Sequence, residues 1–479
     1  MHKSKMIKLF KTLSKKELMQ LGKQLNHPLF AKNPLLLKLY QYISNYFDNW
    51  ESSDLDKKII FPILYPDKPY KDILLRKLMT ELNRHIEELL IQNYLKSQDL
   101  LKKQILQKIY GERGLYHFFE NQTHTLINHY QQKAFKDIND YLSLWKLQSS
   151  YFFHPDTNKF DMDEDGILKT MEYLDAFYIL GKYKYGSEMR AREKVLNRKY
   201  HIWMLDSIKS NEYPKVLLED STVLQVYQSI LELQELRKES TYRMIYNILF
   251  NHQHKFEFSF LLYGLQHLLN YAIWQTNQGN QAFLAQVFEL YQLGLRNGLL
   301  LEKNRITDTT FTNIVAIGIR NQAHQWVEQF ILEYQHLLDP ILREAVRTLC
   351  YGFLHYSRKE FDQTIQLIID FDFTNNYYYL RAKTLMLRAL YEKFCTDYSL
   401  FHLFVAQSKS YEKFLRRSKT IGQYQVEVHL SFVKLLRQMV KIKYLHKWKG
   451  QAHNKLIERL TQTTQIANKE WLLQKLKNG

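Results

Sequence analysis

Two cysteines in 479 residues, Cys350 and Cys395, are too few to staple a fold, and they form no Cys-x-x-Cys pair for zinc. Both fall inside amphipathic helical patterns and read as buried thiols of a reducing compartment, with a disulfide between them left open. Glycine and proline are also scarce, at 15 and 8, too few for a sandwich or barrel that must turn about every ten residues. No run nears the ~18 consecutive apolar residues of a membrane-spanning helix. The N-terminal MHKSKMIKLFKTLSKKEL interleaves lysines with Met6, Ile7, Leu9, Phe10 and Leu13. It has neither the unbroken apolar stretch nor the cleavage site of a secretion signal, so a cytoplasmic protein is expected. Catalytic signatures are missing too: there is no G-x-S-x-G elbow, phosphate-binding Gly-rich loop or H-E-x-x-H. His124 with His129, and His252 with His254, lack a third ligand at fixed spacing. The expectation is no enzyme and no catalytic residue.

What the chain does have is leucine, lysine, glutamine and glutamate in long helix-favouring stretches, and 34 tyrosines. Tyrosine suits seams between helices, where its ring packs and its hydroxyl reaches a polar partner or water. An all-α chain is expected. Its formal charge of +18 gathers at both ends, with a near-neutral middle, and basic ends attract nucleic acid, acidic proteins or anionic lipid. Periodicity predicts helices over Lys5–Leu25 and Pro34–Phe47, then Asp54–Leu64 with Asp54 as cap, then a long helix from Asp72. Leu75, Leu78, Leu82, Ile86 and Leu89 form the buried stripe of that long helix, with Arg76, Lys77, Arg84 and His85 on other faces. A short helix, a turn and a longer basic helix across residues 54–90 make a degenerate helix-turn-helix. The segment IIFPILYPDKPYKDILLRKLMTELNRHIEEL is similar to the helical part of winged-helix activator domains, although no Gly-rich wing follows it.

The region from Ile306 to Phe371 reads as two helical hairpins, Thr310–Arg320 with His324–Leu338 and Ile341–Ser357 with Phe361–Ile369. Gly318 and Gly352 are 34 residues apart, and Trp326 and Phe361 are 35 apart, about the period of tetratricopeptide-type repeats. The string VFELYQLGLRNGLLLEKNRITDTTFTNIVAIGIRNQAHQWVEQFI resembles a pentatricopeptide-type repeat, and Leu349–Ile368 is closer to a tetratricopeptide repeat. The first resemblance implies binding of single-stranded RNA and the second implies binding of peptides and protein surfaces. The whole chain, with LNHPLFAKNPLLLKLYQYI and LDAFYILGKYKYGSEM, also resembles a family of helical proteins of unknown function from Bacteroidota-type bacteria; this implies a helical fold and no activity.

The loop His154–Gly166 holds the one complete chemical motif. Asp161, Asp163, Asp165, Ile167 and Glu172 fit D-x-D-x-D-G-x5-E, the calcium loop in which carboxylates and the carbonyl of position seven surround the ion. No cofactor is expected, calcium being the one exception this pattern leaves open. The competing reading is an acidic cap on the helix expected over Ile167–Lys199, where carboxylates complement the positive helix end. Near the C-terminus, Lys434, Arg437 and Lys441 recur at three- and four-residue spacing along a helix expected over Tyr424–Lys447, with Arg416, Arg417 and Lys447 extending the basic stripe. That stripe is a candidate docking surface for an acidic protein segment or nucleic acid.

Together these features predict an all-α, right-handed α-solenoid of stacked, tetratricopeptide-like hairpins over residues 96–450, an N-terminal helical subdomain over 1–95 and a capping helix over 451–479. The function expected is a non-catalytic scaffold or adaptor for a protein or peptide partner. The alternative is a nucleic-acid-binding or transcription-regulatory protein acting through its basic ends.

Overall fold

A computed structural model describes residues 1–27, 33–157, 165–210, 221–251, 253–418, 420–446, 450–463 and 465–478. Among these the chain is all helix, and the only β-type pairing is an isolated bridge between Glu302 and Arg305. It divides into two compact units, Met1–Phe177 and Tyr178–Gly479. The helix Asp165–Leu196 gives its first turns to one unit and its last turns to the other.

In the first unit, a core of its own gathers residues from Met6 to Leu89. Its axis is the helix Asp72–Lys96, whose stripe Leu75, Leu78, Leu82, Ile86 and Leu89 is buried as the spacing requires. Each such side chain contributes about 1.5–3 kcal/mol when fully buried. Phe10, Leu21, Leu39 and Phe61, from four other helices, close around that stripe. His85 departs from expectation: it is buried rather than surface-facing.

The first expected helix is broken in two, Lys5–Phe10 and Lys15–Asn26. The cause is a capping box in which Glu17 N–H donates to the Ser14 hydroxyl and Ser14 N–H donates to the Glu17 carboxylate. Ser-x-x-Glu ends one helix and starts another because it satisfies amide donors that an uninterrupted helix would use internally. The cap of the helix Lys57–Leu64 is Asp56 instead of Asp54, which lies in a preceding 3-10 turn. Beyond this core, helices Asp99–Glu112, Tyr116–Gln131 and Ile138–Phe152 follow, and Leu126, Ile127, Tyr130, Leu144 and Leu147 form a second, smaller cluster. Gly114, at φ +68°, supplies the left-handed residue that ends the first of these helices, and Gly111 before it is still helical.

The second unit is a series of helices in which each packs on the next: Thr222–Leu236, Glu239–Asn251, Phe258–Asn277, Ala282–Arg296, Asp308–Arg320, His324–Tyr334, Arg343–Ser357, Phe361–Asp370, Asn376–Thr396, Phe401–Arg417, Gln423–Tyr444, Gln451–Gln462 and Lys469–Asn478. Alternate members also touch: Asp308–Arg320 packs on Arg343–Ser357, which packs on Asn376–Thr396, which packs on Gln423–Tyr444, which packs on Lys469–Asn478. The four helices expected between Thr310 and Ile369 are all present. Residues 451–479 hold two helices where one capping helix is expected; Thr463 ends the first, and Asn468, at φ +53°, precedes the second.

Cys350 is fully buried and Cys395 only partly so, and both are free thiols. Burial pushes the Cys350 thiol up to about 12, because an apolar surround disfavours the thiolate. No helix among the described residues is long and apolar enough to cross a membrane.

Candidate functional site

A concavity of the second unit lies among the end of the helix Asp165–Leu196 and the helices Thr222–Leu236 and Phe258–Asn277. It encloses about 470 Å³. Leu196, Leu233 and Ala191 supply its apolar wall, Tyr271 and Trp274 its rings, and Glu188, Arg192, Arg237, Gln234 and Asn270 its polar groups.

Local geometry explains why Arg237 faces this space. The helix Thr222–Leu236 ends there, and Arg237 takes the left-handed conformation at φ 52° while its N–H bonds back to the Leu233 carbonyl. Glycine usually fills such a position because a Cβ disfavours positive φ. Two contacts hold the arginine in place. The Tyr271 hydroxyl donates to its carbonyl at 3.2 Å, and its guanidinium lies 3.9 Å from the centroid of the Trp274 ring, a cation–π stack. Among the described residues no carboxylate or other acceptor meets that guanidinium, and burial lowers it from the ordinary arginine range. It still carries its charge at neutral pH.

The surrounding arginines differ. Arg192 Nε meets Glu188 Oε1 at 2.8 Å. Arg190 pairs with Glu193 at 2.8 Å and with Glu235 at 3.6 Å, and Lys209 also meets Glu235, at 2.7 Å. Gln234 is held by His267 Nδ1 at 3.1 Å. The pocket therefore contains one matched ion pair and one uncompensated, ring-backed guanidinium.

The chain has no match among protein-family models, curated proteins or solved structures.

The residues expected to form the C-terminal stripe are placed differently from one another. Arg437 turns toward the neighbouring helix Phe401–Arg417, where its Nη2 meets Glu412 Oε2 at 2.9 Å and its Nε meets the Ser408 hydroxyl at 3.1 Å. Arg416 also pairs with Glu412, at 2.8 Å. Lys434, Lys441 and Arg417 are exposed and unpaired among the described residues, and Lys447 lies outside them. The basic residues on and around the helix Asp72–Lys96 are matched in part: Arg76 and Lys57 both meet Asp72, at 2.5 and 2.8 Å, and Lys5 meets Glu87 at 2.5 Å, whereas Lys77 is exposed with no ion pair among the described residues.

Of the calcium pattern, Asp161 and Asp163 lie outside the described residues. Asp165 begins the helix Asp165–Leu196, so Gly166, Ile167 and Glu172 are helical. The Gly166 carbonyl accepts from the Thr170 hydroxyl at 3.0 Å and from Gln148 Nε2 at 3.5 Å, and the Ile167 side chain is exposed. In a calcium site the ligands come from a twelve-residue loop between helices, with a sharp turn at the glycine. Here the helix begins at position five. Millimolar calcium is accordingly expected to leave Tm unchanged in a thermal melt; a calcium-dependent rise would show that these residues rearrange around an ion. Among the described residues no three His, Cys, Asp or Glu side chains gather as a metal-ligand set.

Arg237 and Trp274 escape sequence reading because nothing in their spacing joins them. The available signal is that Leu236-Arg237-Lys238 ends a helical pattern without the glycine or asparagine that ordinarily stops one.

Proposed function

We propose that this chain is a non-catalytic binding protein, a scaffold or adaptor whose helices form a right-handed, tetratricopeptide-like α-solenoid that holds a protein or peptide partner. The observation that carries this reading is the contact ladder from Thr222–Leu236 to Lys469–Asn478, in which each helix meets its successor and, from Asp308–Arg320 onward, every second helix also meets the next of its set. Such nearest-neighbour packing is characteristic of solenoids, and it leaves extended surfaces free to bind without rearrangement. Charge pairing favours a protein partner over nucleic acid. Arg76, Arg416 and Arg437 are each occupied by a carboxylate, which interrupts the run of available cations that a phosphate backbone requires, while Lys77, Arg417, Lys434 and Lys441 stay exposed.

The test uses the full-length chain. One protein partner should co-purify with it at a fixed stoichiometry from its native cell, and mobility-shift titrations with single-stranded RNA and duplex DNA at low salt should show no steeply salt-dependent complex. A tight nucleic-acid complex that weakens steeply with salt, without such a partner, would overturn the scaffold reading in favour of the alternative.

A further inference from the structure

We propose that the pocket between Arg192, Arg237 and Trp274 binds the side-chain carboxylate of an acidic peptide segment, with the Arg237 guanidinium as the fork that grips it. The proposal rests on the peptide-binding reading above and names the chemistry of its ligand. The Arg237 guanidinium lies over the Trp274 ring, 3.9 Å from its centroid, and carries its N–H donors in its own plane as a rigid fork. Those donors meet no acceptor among the described residues, while every other arginine around the pocket is paired. A planar fork of this kind matches the two oxygens of a carboxylate.

Charge selects among anions. Glu188 already balances Arg192, so the pocket offers one net positive charge. That matches a carboxylate monoanion better than a phosphate dianion, and a nucleic-acid strand would need several such charges in a row. The wall completes the match. Leu196, Leu233 and Ala191 lie beside the cationic end, Leu196 is 54% exposed, and the exposed Asn270 amide can pair with a peptide backbone group. An acidic residue flanked by an apolar one would place its carboxylate on Arg237 and its neighbour on Leu196, with the Trp274 ring backing the ion pair.

The experiment measures fluorescence anisotropy of the full chain with three labelled twelve-residue peptides: alternating Leu-Glu, alternating Leu-Gln, and the Leu-Glu peptide with phosphoserine replacing each glutamate. The Leu-Glu peptide should bind, and the Leu-Gln peptide should bind at least about tenfold more weakly, a loss typical of removing a charge-assisted pair. Arg237→Gln should weaken the Leu-Glu complex by a similar factor. Arg237→Lys should weaken it too, because an ammonium lacks the fork. Lys409→Gln, at an exposed position on the helix Phe401–Arg417, should leave it unchanged.

A second readout avoids dependence on variant stability. With 5-fluorotryptophan in the wild-type chain, the ¹⁹F resonance absent from Trp274→Phe should shift on adding the Leu-Glu peptide and stay still with Leu-Gln. Equal affinity for Leu-Glu and Leu-Gln, preference for the phosphoserine peptide, absent binding, or an unmoved Trp274 resonance would each overturn the proposal. A stoichiometric protein partner that co-purifies equally with wild type and Arg237→Gln would reject this pocket while leaving the scaffold reading intact.

Discussion

Gly318→Val is expected to destabilise the second unit by about 2–3 kcal/mol and to lower Tm by roughly 4–10 °C. A Cβ built on Gly318 falls 2.4 Å from Val327 Cγ2, with Phe288 Cε2 at 3.5 Å and Trp326 Cε3 at 3.7 Å. Val327 is fully buried, and as a β-branched residue it has little freedom at χ1 to move aside. The helices Asp308–Arg320 and His324–Tyr334 are tied at this point by the turn in which Ala323 N–H bonds to the Gly318 carbonyl at 3.0 Å. Valine would have to open that turn. Gly181→Ala is the control: nothing lies within 4 Å of its Cβ, so relief of the helical cost of glycine should leave stability unchanged or raised by up to about 1 kcal/mol. Thermal melts of both variants decide the matter, and a Gly318→Val chain that melts with wild type would refute the close approach.

Trp471→Ala is expected to cost about 2–4 kcal/mol and to strip hydrogen-exchange protection from the helix Lys469–Asn478. The tryptophan is the anchor of that helix. Its Nε1 donates to the Tyr356 hydroxyl at 2.9 Å, which in turn donates to Glu392 Oε1 at 3.0 Å, and Lys475 meets Glu392 at 2.7 Å. The Arg388 guanidinium sits 4.6 Å from the Tyr356 ring centroid and 5.1 Å from that of Trp471. Its buried Nε has no hydrogen-bond partner, and one Nη reaches Asn468 Oδ1 at 3.4 Å. Removing the indole takes away one of the two rings that compensate this charge. Trp471→Ala and Arg388→Ala should therefore couple by more than about 1 kcal/mol in a double-mutant cycle, and additive losses would show that the cation and the ring act separately.

The N-terminal region shows how far local pattern reaches. The stripe from Leu75 to Leu89 could be read in advance because a period near 3.6 has one structural solution, a helix with one buried face. The break at Ser14 was also written there, as Ser-x-x-Glu, but an apolar pattern running through it favoured a single helix. His85 marks the limit where residue type misleads: it stands three residues after Leu82 and four before Leu89, on the buried stripe's own spacing, and is buried although its side chain is polar.

The candidate site falls on the far side of that limit. The C-terminal stripe treated Lys434, Arg437 and Lys441 as equivalent by spacing, yet Glu412, on a separate helix, takes up Arg437 and leaves the two lysines exposed. Ion pairing across helices depends on their crossing angle and axial rotation, and a local period determines neither.

By itself, the sequence determined the helical class, the positions of most helices and the 34-residue interval that puts Gly318 and Gly352 at matching places in successive hairpins. These follow from propensity, periodicity and steric need, which act over a few residues. Only the tertiary structure decided that Arg237 would lie on Trp274 beside a matched Glu188–Arg192 pair, and that Trp471 would lie against Arg388. Those groups are brought together by helices packing side by side, and the chemistry of the site exists only once that packing has formed.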